Sequence, residues 1–383
     1  MEKLYILILF FFITGCGSSS DPSDNVLADK ETEEVELNCQ VRNGGINWDA
    51  LSNSECVKLS SYNLFSDNTD PRAGANASGI RYELNSELFT DYARKYRYVF
   101  LPPNEKSEYS EQESFKFPVG SVLVKVFALP LDTALPEENI IEIRLLIHRA
   151  GGWVGLVYVW QKENQDAVLD LDSESIEFSL LHNGDIFSGE YRVPSFGSCA
   201  TCHQFNDKMS PIGPKARLLN KDIDFQIDGD DQSITINQLQ LWSQQDLLSG
   251  LPDNLSEIDA APDWRDETKN LSDRAKAYLD INCAHCHRAE GAASLSGLKL
   301  EYGRKTIDYN HGVCNSAHGW RGGGFDIWPG SSGQSSLVER MTLSPAPDRM
   351  PPLGRSLVDV DAVELIKQWI DAMPYQECAQ QNN

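Results

Sequence analysis

The sequence predicts two structural classes in succession, an N-terminal antiparallel β-sandwich over residues 37–192 and then all-α units over residues 193–383. Alternating apolar and polar residues around a double-glycine turn indicate strands in the first part. Apolar residues at helical spacing indicate helices in the last third. A length of 383 residues is enough for two or three domains.

The predicted β part contains several short strands. Residues 117–127 are rich in β-branched side chains, and residues 141–147 alternate isoleucine or leucine with mostly polar residues. Residues 153–160 follow across a double glycine, so the spacing predicts a hairpin with residues 141–147. Residues 175–181 are a further candidate. Short strands separated by turn signals favour a sandwich of jelly-roll or immunoglobulin-like type.

Two helices are predicted in the last third of the chain. The first carries Ala275, Tyr278 and Leu279 on one face, and Ser272 is its candidate cap. The second has an apolar stripe before Pro374, made of Ala362, Leu365, Ile366, Trp369, Ile370 and Met373. An amphipathic pattern of this kind predicts that each helix buries one face.

The pentapeptide Cys-x-x-Cys-His occurs twice, at residues 199–203 and 283–287. At this spacing two thiols can add to the vinyl groups of one haem while the adjacent imidazole reaches the iron. Zinc-binding pairs or a thioredoxin-like redox pair are the alternatives, but neither explains a histidine directly after each pair. We therefore predict two covalently bound haems c, attached through Cys199 and Cys202 and through Cys283 and Cys286, with His203 and His287 as proximal iron ligands.

The second motif also has a candidate for the opposite axial position. Met350 is followed by two prolines, which restrict the backbone and would keep the thioether aimed at the iron. Met341 is the competing sulfur, and its alternative role is to fill the core. A helix before the motif, a Met-Pro loop and a closing helix resemble class I cytochromes c. Residues 271–383 are therefore predicted to be a class I cytochrome c-like haem domain.

The first haem segment, residues 193–270, is less complete. Its Pro-Ile-Gly-Pro at residues 211–214 is similar to the Gly-Pro that presses on the proximal haem face in class I cytochromes c. The local distal candidate is Met209, only six residues after His203. The alternatives are no strong protein ligand, or one of His148, His182, His311 and His318. We expect weak, interdomain or absent axial ligation of this haem.

Residues 1–15 are predicted to be a lipoprotein signal peptide. The apolar run of residues 4–13 is too short to span a bilayer, and it ends at an Ile-Thr-Gly-Cys sequence that resembles a bacterial lipobox. Cleavage before Cys16 would leave a lipidated N-terminus on a flexible acidic tether, residues 16–36. An ordinary signal peptide cut elsewhere is the alternative. The predicted location is the periplasmic face of the cell envelope, and Gly17 favours the outer membrane.

All nine cysteines can be assigned. One is the lipidation candidate and four belong to the two motifs. The remaining four should pair in an exported chain. Sequence proximity favours Cys39 with Cys56 and Cys314 with Cys378, while the two other pairings stay open.

The net charge of -24 restricts the partners. Nucleic acid is excluded because both surfaces would repel each other. An acidic surface serves solubility, or it docks on a basic patch of a redox partner protein. We therefore predict redox proteins and, through the lipid anchor, a membrane as partners.

The mature chain resembles the diheme c-type cytochrome lipoproteins of marine and other Gram-negative bacteria. The matching stretches include both motifs and residues 82–93, 117–125, 193–195, 211–215, 274–282 and 349–354. The resemblance implies haem binding and electron transfer by ferrous–ferric cycling, without a catalytic residue.

Two alternative functions stay open. An open first haem would suit an enzyme of diheme peroxidase type. Otherwise the β part binds a substrate or a partner through a surface of Trp153, Tyr158 and Trp160 and passes electrons to the haems.

Overall fold

The computed structural model describes residues 37–40, 44–76, 78–226, 233–345 and 347–379. The predicted signal peptide, Cys16 and the tether lie outside them. The described strands are β1 (Gly79–Tyr82), β2 (Arg94–Phe100), β3 (Ser107–Glu108), β4 (Val122–Pro130), β5 (Glu138–Arg149), β6 (Gly152–Gln161), β7 (Asp166–Leu169), β8 (Ser175–His182), β9 (Asp185–Arg192), β10 (Gln204–Phe205), β11 (Lys208–Met209), β12 (Asp222–Gln226), β13 (Ser233–Asn237) and β14 (Leu248–Ser249). The described α-helices are α1 (Trp48–Asn53), α2 (Cys199–His203), α3 (Ala216–Leu219), α4 (Gln238–Gln244), α5 (Leu271–Asn282), α6 (Ser336–Thr342) and α7 (Val360–Asp371).

One six-stranded antiparallel sheet lies at the centre of the fold, in the order β1-β2-β4-β5-β6-β7. The hairpin predicted across the double glycine is present, because β5 pairs with β6 and Arg149 lies opposite Gly152. The other strands form small sheets. They are the antiparallel pairs β8-β9, β10-β11 and β12-β13, and the parallel pair β14-β3.

The predicted fold class, a β-sandwich followed by all-α cytochrome c-like haem units, is wrong. Over the described residues the fold is mostly β, with 28% strand and 22% helix, and it contains no all-α unit of that kind. The sheet is covered by loops and short helices rather than by a second large sheet. The prediction of helices for residues 193–270 relied on the haem motif. The residues of β12 and β13 alternate isoleucine or phenylalanine with polar residues, and this is the period of a strand.

One face of the sheet packs on the N-terminal segment. Its core consists of buried side chains such as Tyr98, Val124, Ile143, Leu145 and Tyr158, packed against Ala50 and Leu51 of α1. The Cys39–Cys56 disulfide lies at this face, as sequence proximity predicted. The predicted alternation fails at Ile141, which joins the opposite face because the strand register shifts at this point.

The other face of the sheet is covered by the C-terminal half of the chain. Tyr82 and Leu123 pack there with Leu218, Trp242 and Ile281 in one apolar cluster. The cluster therefore joins strands of the central sheet to α3, α4 and α5, and it places the first motif against the sheet.

The two predicted helices in the last third are confirmed as α5 and α7. They pack together through Ala275, Tyr278, Leu279, Ala362, Ile366 and Trp369. The cap of α5 is Asn270, not Ser272, because the Asn270 side chain accepts hydrogen bonds from the backbone of residues 272 and 273. The predicted pair Cys314–Cys378 is disulfide-bonded. None of the described helices has the length and apolar character needed to cross a bilayer.

Candidate haem-binding sites

The first motif forms the short helix α2 at the edge of a large cavity, which we call the α2 cavity. Its volume is about 190 Å³, and it is partly open to solvent. Cys199, Cys202 and His203 all line it. The helical turn therefore presents the two thiols and the imidazole of one Cys-x-x-Cys-His to the same space.

The central sheet supplies one wall of the α2 cavity. Side chains of β4, β5 and β6, among them Leu123, Leu146 and Val157, line it. Gly155 of β6 brings the sheet close to the motif, since a Cβ at this position would lie only 3.0 Å from the Cys199 sulfur. The Pro-Ile-Gly-Pro segment also lines the cavity, as do Pro351, Leu353 and Gly354 of the Met350 loop. These mostly apolar walls suit a flat, largely apolar ring system.

The hydrogen bonding of His203 leaves one ring nitrogen free to bind a metal ion. Its Nδ1 donates a hydrogen bond to the Ser210 carbonyl at 2.8 Å, which leaves Nε2 as the unprotonated nitrogen. Burial lowers the pKa of His203 to about 4, so the ring is neutral near pH 7. In metal-binding histidines, the ring nitrogen that does not bind the metal usually donates a hydrogen bond, often to a backbone carbonyl oxygen.

The second motif follows directly from α5. The Nδ1 of His287 lies 2.9 Å from the Ser296 hydroxyl. That hydroxyl already donates to the Ala293 carbonyl, so it accepts from His287, and Nε2 is again left free. Burial lowers the pKa of His287 to about 4. Gly291 allows the chain to turn after the motif, since a Cβ there would lie 2.4 Å from the Cys286 carbonyl oxygen.

The two motifs are in contact. The Cys286 sulfur lies 3.6 Å from the carbonyl oxygen of Thr201, inside the first motif. The thiols of Cys202 and Cys286 also interact, which lowers the pKa of Cys202 and raises that of Cys286. Groups attached to these sulfurs would therefore lie side by side.

His285, which stands between the two cysteines of the second motif, is half-buried and lines the α2 cavity. Its Nδ1 is buried and has no hydrogen-bond partner among the described residues. The middle of the second motif thus contributes to the first site.

The four motif cysteines are half-buried free thiols, whereas the other described cysteines form disulfides. Over the described residues no three His, Cys, Asp or Glu side chains are grouped so that they could hold a metal ion. Thioether attachment requires free thiols in this pairwise spacing.

The loop that carries Met350 is held by a buried arginine. Arg355, 5% exposed, donates to the carbonyl oxygens of Met350 at 2.7 Å, Met341 at 3.1 Å and Leu357 at 3.0 Å. Met350 itself is half-buried, and its backbone nitrogen donates to the Arg340 carbonyl at 2.9 Å. The backbone of the loop is therefore fixed from inside the fold.

Met341, the competing sulfur, is 5% exposed and packs among α5, α6 and α7. This is the core-filling role considered for it, and Met350 stays the predicted ligand of the second haem.

The distal candidates for the first haem do not reach the α2 cavity. Met209 pairs with Gln204 in the hairpin directly after α2 and is not among the cavity-lining residues. Both ring nitrogens of His182 are engaged, by Thr133 at 2.8 Å and Asp361 at 3.0 Å. His148 lies outside the cavity lining and stacks on Trp153. His311 and His318 do not line the cavity either.

The proposed binding surface of Trp153, Tyr158 and Trp160 is not formed. Tyr158 is fully buried, and its hydroxyl donates to the Cys56 carbonyl at 2.9 Å. Tyr158 and Trp160 point to the same side of β6 and pack in the core of the N-terminal face, whereas Trp153 points to the opposite side.

Sequence reasoning missed three charged residues of the α2 cavity, namely Arg97, Lys125 and Arg144. A usable signal was present, because Lys125 interrupts a run of apolar residues in β4. A charge within an otherwise buried strand is costly unless it has a partner.

We compared the chain with protein-family models, with curated proteins and with solved structures, and none of them matches. The interpretation of the sites therefore rests on the residues themselves.

Proposed function

We propose that this protein is a diheme c-type cytochrome that transfers electrons between redox partner proteins. The observation that carries the proposal is the pair of contacting Cys-x-x-Cys-His segments, each with free thiols and with a histidine whose Nδ1 is already bonded. The first also opens into the α2 cavity, whose mostly apolar walls suit a prosthetic group such as haem.

A haem bound at each motif supplies one-electron cycling between ferrous and ferric iron. The chain's own residues attach and orient it. Cys199 and Cys202 hold the first through thioethers, Cys283 and Cys286 hold the second, and His203 and His287 ligate the irons. Because the Cys286 sulfur contacts the Thr201 carbonyl, haems attached at the two motifs would lie next to each other, and this would favour electron exchange within the chain.

The size of the α2 cavity favours one second candidate, an enzyme of peroxidase type with an open first site. The cavity walls leave space beside His203, and among the described residues no histidine or methionine predicted as its distal ligand lines this space. Peroxide turnover well above that of free haem would favour this function over electron transfer.

We also propose that the chain is lipid-anchored through Cys16 at the periplasmic face of the outer membrane. The support is the lipobox-like sequence and the acidic tether. An acyl mass on the mature N-terminus, and release of Cys16→Ser from the membrane fraction, are the expected observations. Wild-type protein that is soluble and lacks acyl mass contradicts the anchor.

Met350→Ala should remove the near-infrared sulfur-to-iron band and lower the reduction potential of the second haem, because a thioether favours ferrous iron. Absorption spectroscopy with a redox titration checks this. Met341→Ala is the control, and it should cost about 2–5 kcal/mol of unfolding free energy while sparing the band. If Met341→Ala removed the band and Met350→Ala did not, Met341 would be the ligand and our assignment would be wrong.

Carbon monoxide should bind one reduced haem per chain, the first, and spare the second. The physical reason is that the predicted distal ligands do not line the α2 cavity. Spectra of oxidised and reduced protein, with and without carbon monoxide, test this and the proposed function together. If both haems are low-spin and neither binds carbon monoxide, we would conclude that a side chain of the cavity ligates the iron of the first haem. Lys125 and His285 would then be tested.

A further inference from the structure

Three cations lie side by side on the sheet face that lines the α2 cavity. Strand register places Arg97 opposite Lys125, and Lys125 opposite Arg144, so the side chains form one row across β2, β4 and β5. We call these three residues the cation row. All three line the cavity. Like charges directly opposite on neighbouring strands destabilise a sheet, so such a row requires compensation.

The protein's own acids compensate only part of the row. Glu87 pairs with Arg97 at 2.6 Å, and Glu142 pairs with Arg144. Lys125 makes no hydrogen bond or ion pair with any described residue. Arg97 is 4% exposed, and its Nη2 is buried without a hydrogen-bond partner among the described residues. The amine of Lys125 and one buried N–H donor of Arg97 are therefore left without an acidic partner beside the cavity.

The environment of the Lys125 side chain also lacks an acidic partner. Its side-chain nitrogen lies 4.7 Å from the ring centroid of Phe127, a cation–π contact that offers some stabilisation but supplies no acidic group. Burial lowers its pKa well below the ordinary value, and Arg97, Lys95 and Arg144 lower it further. The chain has 33 basic and 57 acidic residues, so composition does not explain three cations side by side at one cavity, one of them without an acidic partner.

We propose that the cation row binds a carboxylate or another small oxyanion inside the α2 cavity. Guanidinium groups offer paired donors to such an anion, and an ammonium adds a point charge. The anion has two possible sources with the same chemistry. One is a propionate of a haem attached at Cys199 and Cys202, and this source rests on the proposed function. The other is a free anion that enters from the open side of the cavity.

The test compares Lys125→Gln and Lys125→Arg with wild-type protein, in the full chain. Lys116→Gln is the matched control, since the Lys116 side chain is 70% exposed on the surface. Intact mass first establishes the covalent haem content of each variant. Sodium formate is then titrated against sodium chloride at equal ionic strength, and the spectrum and reduction potential of the first haem are recorded.

A free anion is the occupant if formate gives a saturable spectral change in wild type. Lys125→Gln should then bind formate about tenfold more weakly or worse, because a charge-assisted bond is lost. Lys125→Arg and Lys116→Gln should keep the wild-type affinity. The haem carboxylate is the occupant if formate has no effect and only Lys125→Gln lowers the potential of the first haem, since loss of a positive charge favours ferric iron.

Two results overturn the proposal. One is a Lys125→Gln protein with unchanged formate response and unchanged potential. The other is a Lys125→Gln protein that newly binds carbon monoxide, because Lys125 would then be an iron ligand. Wild-type protein without covalent haem would instead contradict the proposed function. In that case formate should raise the unfolding temperature of wild type but not of Lys125→Gln, and failure of this shift would overturn anion binding as well.

Discussion

Purified protein should carry two covalent haem masses per chain, and Cys202→Ala and Cys286→Ala should each lose or cripple attachment at their own site. The reason is chemical, because each motif needs two thiols for two vinyl groups and one adjacent imidazole for the iron. Intact mass under denaturing conditions and haem staining of gels measure the attachment. This is the largest effect we expect, since a whole prosthetic group is gained or lost.

A substitution between the two cysteines is the matched control. Thr201→Ser changes an exposed position of the first motif and should retain both haems. If the wild-type mass lacks two haem increments, the assignment of the motifs is wrong. Because Cys202 and Cys286 interact, the haem-free thiols of each variant should be alkylated before analysis, so that a disulfide between the motifs is not mistaken for failed attachment.

Asp280→Ala should lower the free energy of unfolding by about 3–5 kcal/mol, because it leaves a buried guanidinium unpaired. Arg217 and Asp280 are 3% and 1% exposed at their side chains and form two bonds, of 2.9 Å and 2.8 Å. The pair joins α3, beside the first motif, to α5, which leads into the second. Urea unfolding at equal haem content measures the change.

Two comparisons isolate the ion pair. Glu108→Gln removes an acid from an exposed pair with Lys116 and should leave the unfolding midpoint nearly unchanged. The double variant Arg217→Met with Asp280→Leu should be less destabilised than the sum of the single variants, because no buried charge is left alone. Additive losses would show that the pair contributes no coupling energy.

The same pair predicts a direction of pH dependence. Burial alone would raise the pKa of Asp280, but Arg217 and Lys215 outweigh it and the net shift is downward. The carboxylate therefore contributes stability that is complete above its unfolded pKa of about 3.9 and is lost as the pH falls toward the folded pKa. The stability difference between wild type and Asp280→Asn should shrink over that acidic window.

The candidate attachment motifs could be predicted because each one consists of adjacent residues. Cys-x-x-Cys-His needs only five consecutive positions, and the structure places Cys199, Cys202 and His203 at one cavity as that pattern requires. The hairpin of β5 and β6 and the two helices α5 and α7 were also predictable, since each follows from a repeat period and its flanking breaker residues.

The residues that surround the two motifs could not be predicted in the same way. Gly155 approaches Cys199, and His285 of the second motif lines the first cavity, although their sequence positions give no reason for either contact. The polar residues Glu142 and Arg144 alternate with apolar residues along β5, as on a solvent-facing edge. They instead face the interior beside the cavity, because the C-terminal half covers that side of the sheet.

The two Cys-x-x-Cys-His motifs, most strand and helix periods and the two disulfide pairs could be read from the sequence, because these depend mainly on residues near one another in the chain. Only the tertiary structure decided that one sheet, rather than a sandwich, forms the wall of the first site. It also decided that the two motifs touch and that Arg97, Lys125 and Arg144 form one row. These features depend on strand register and on packing between distant segments, where a shift of one residue would turn every side chain to the opposite face.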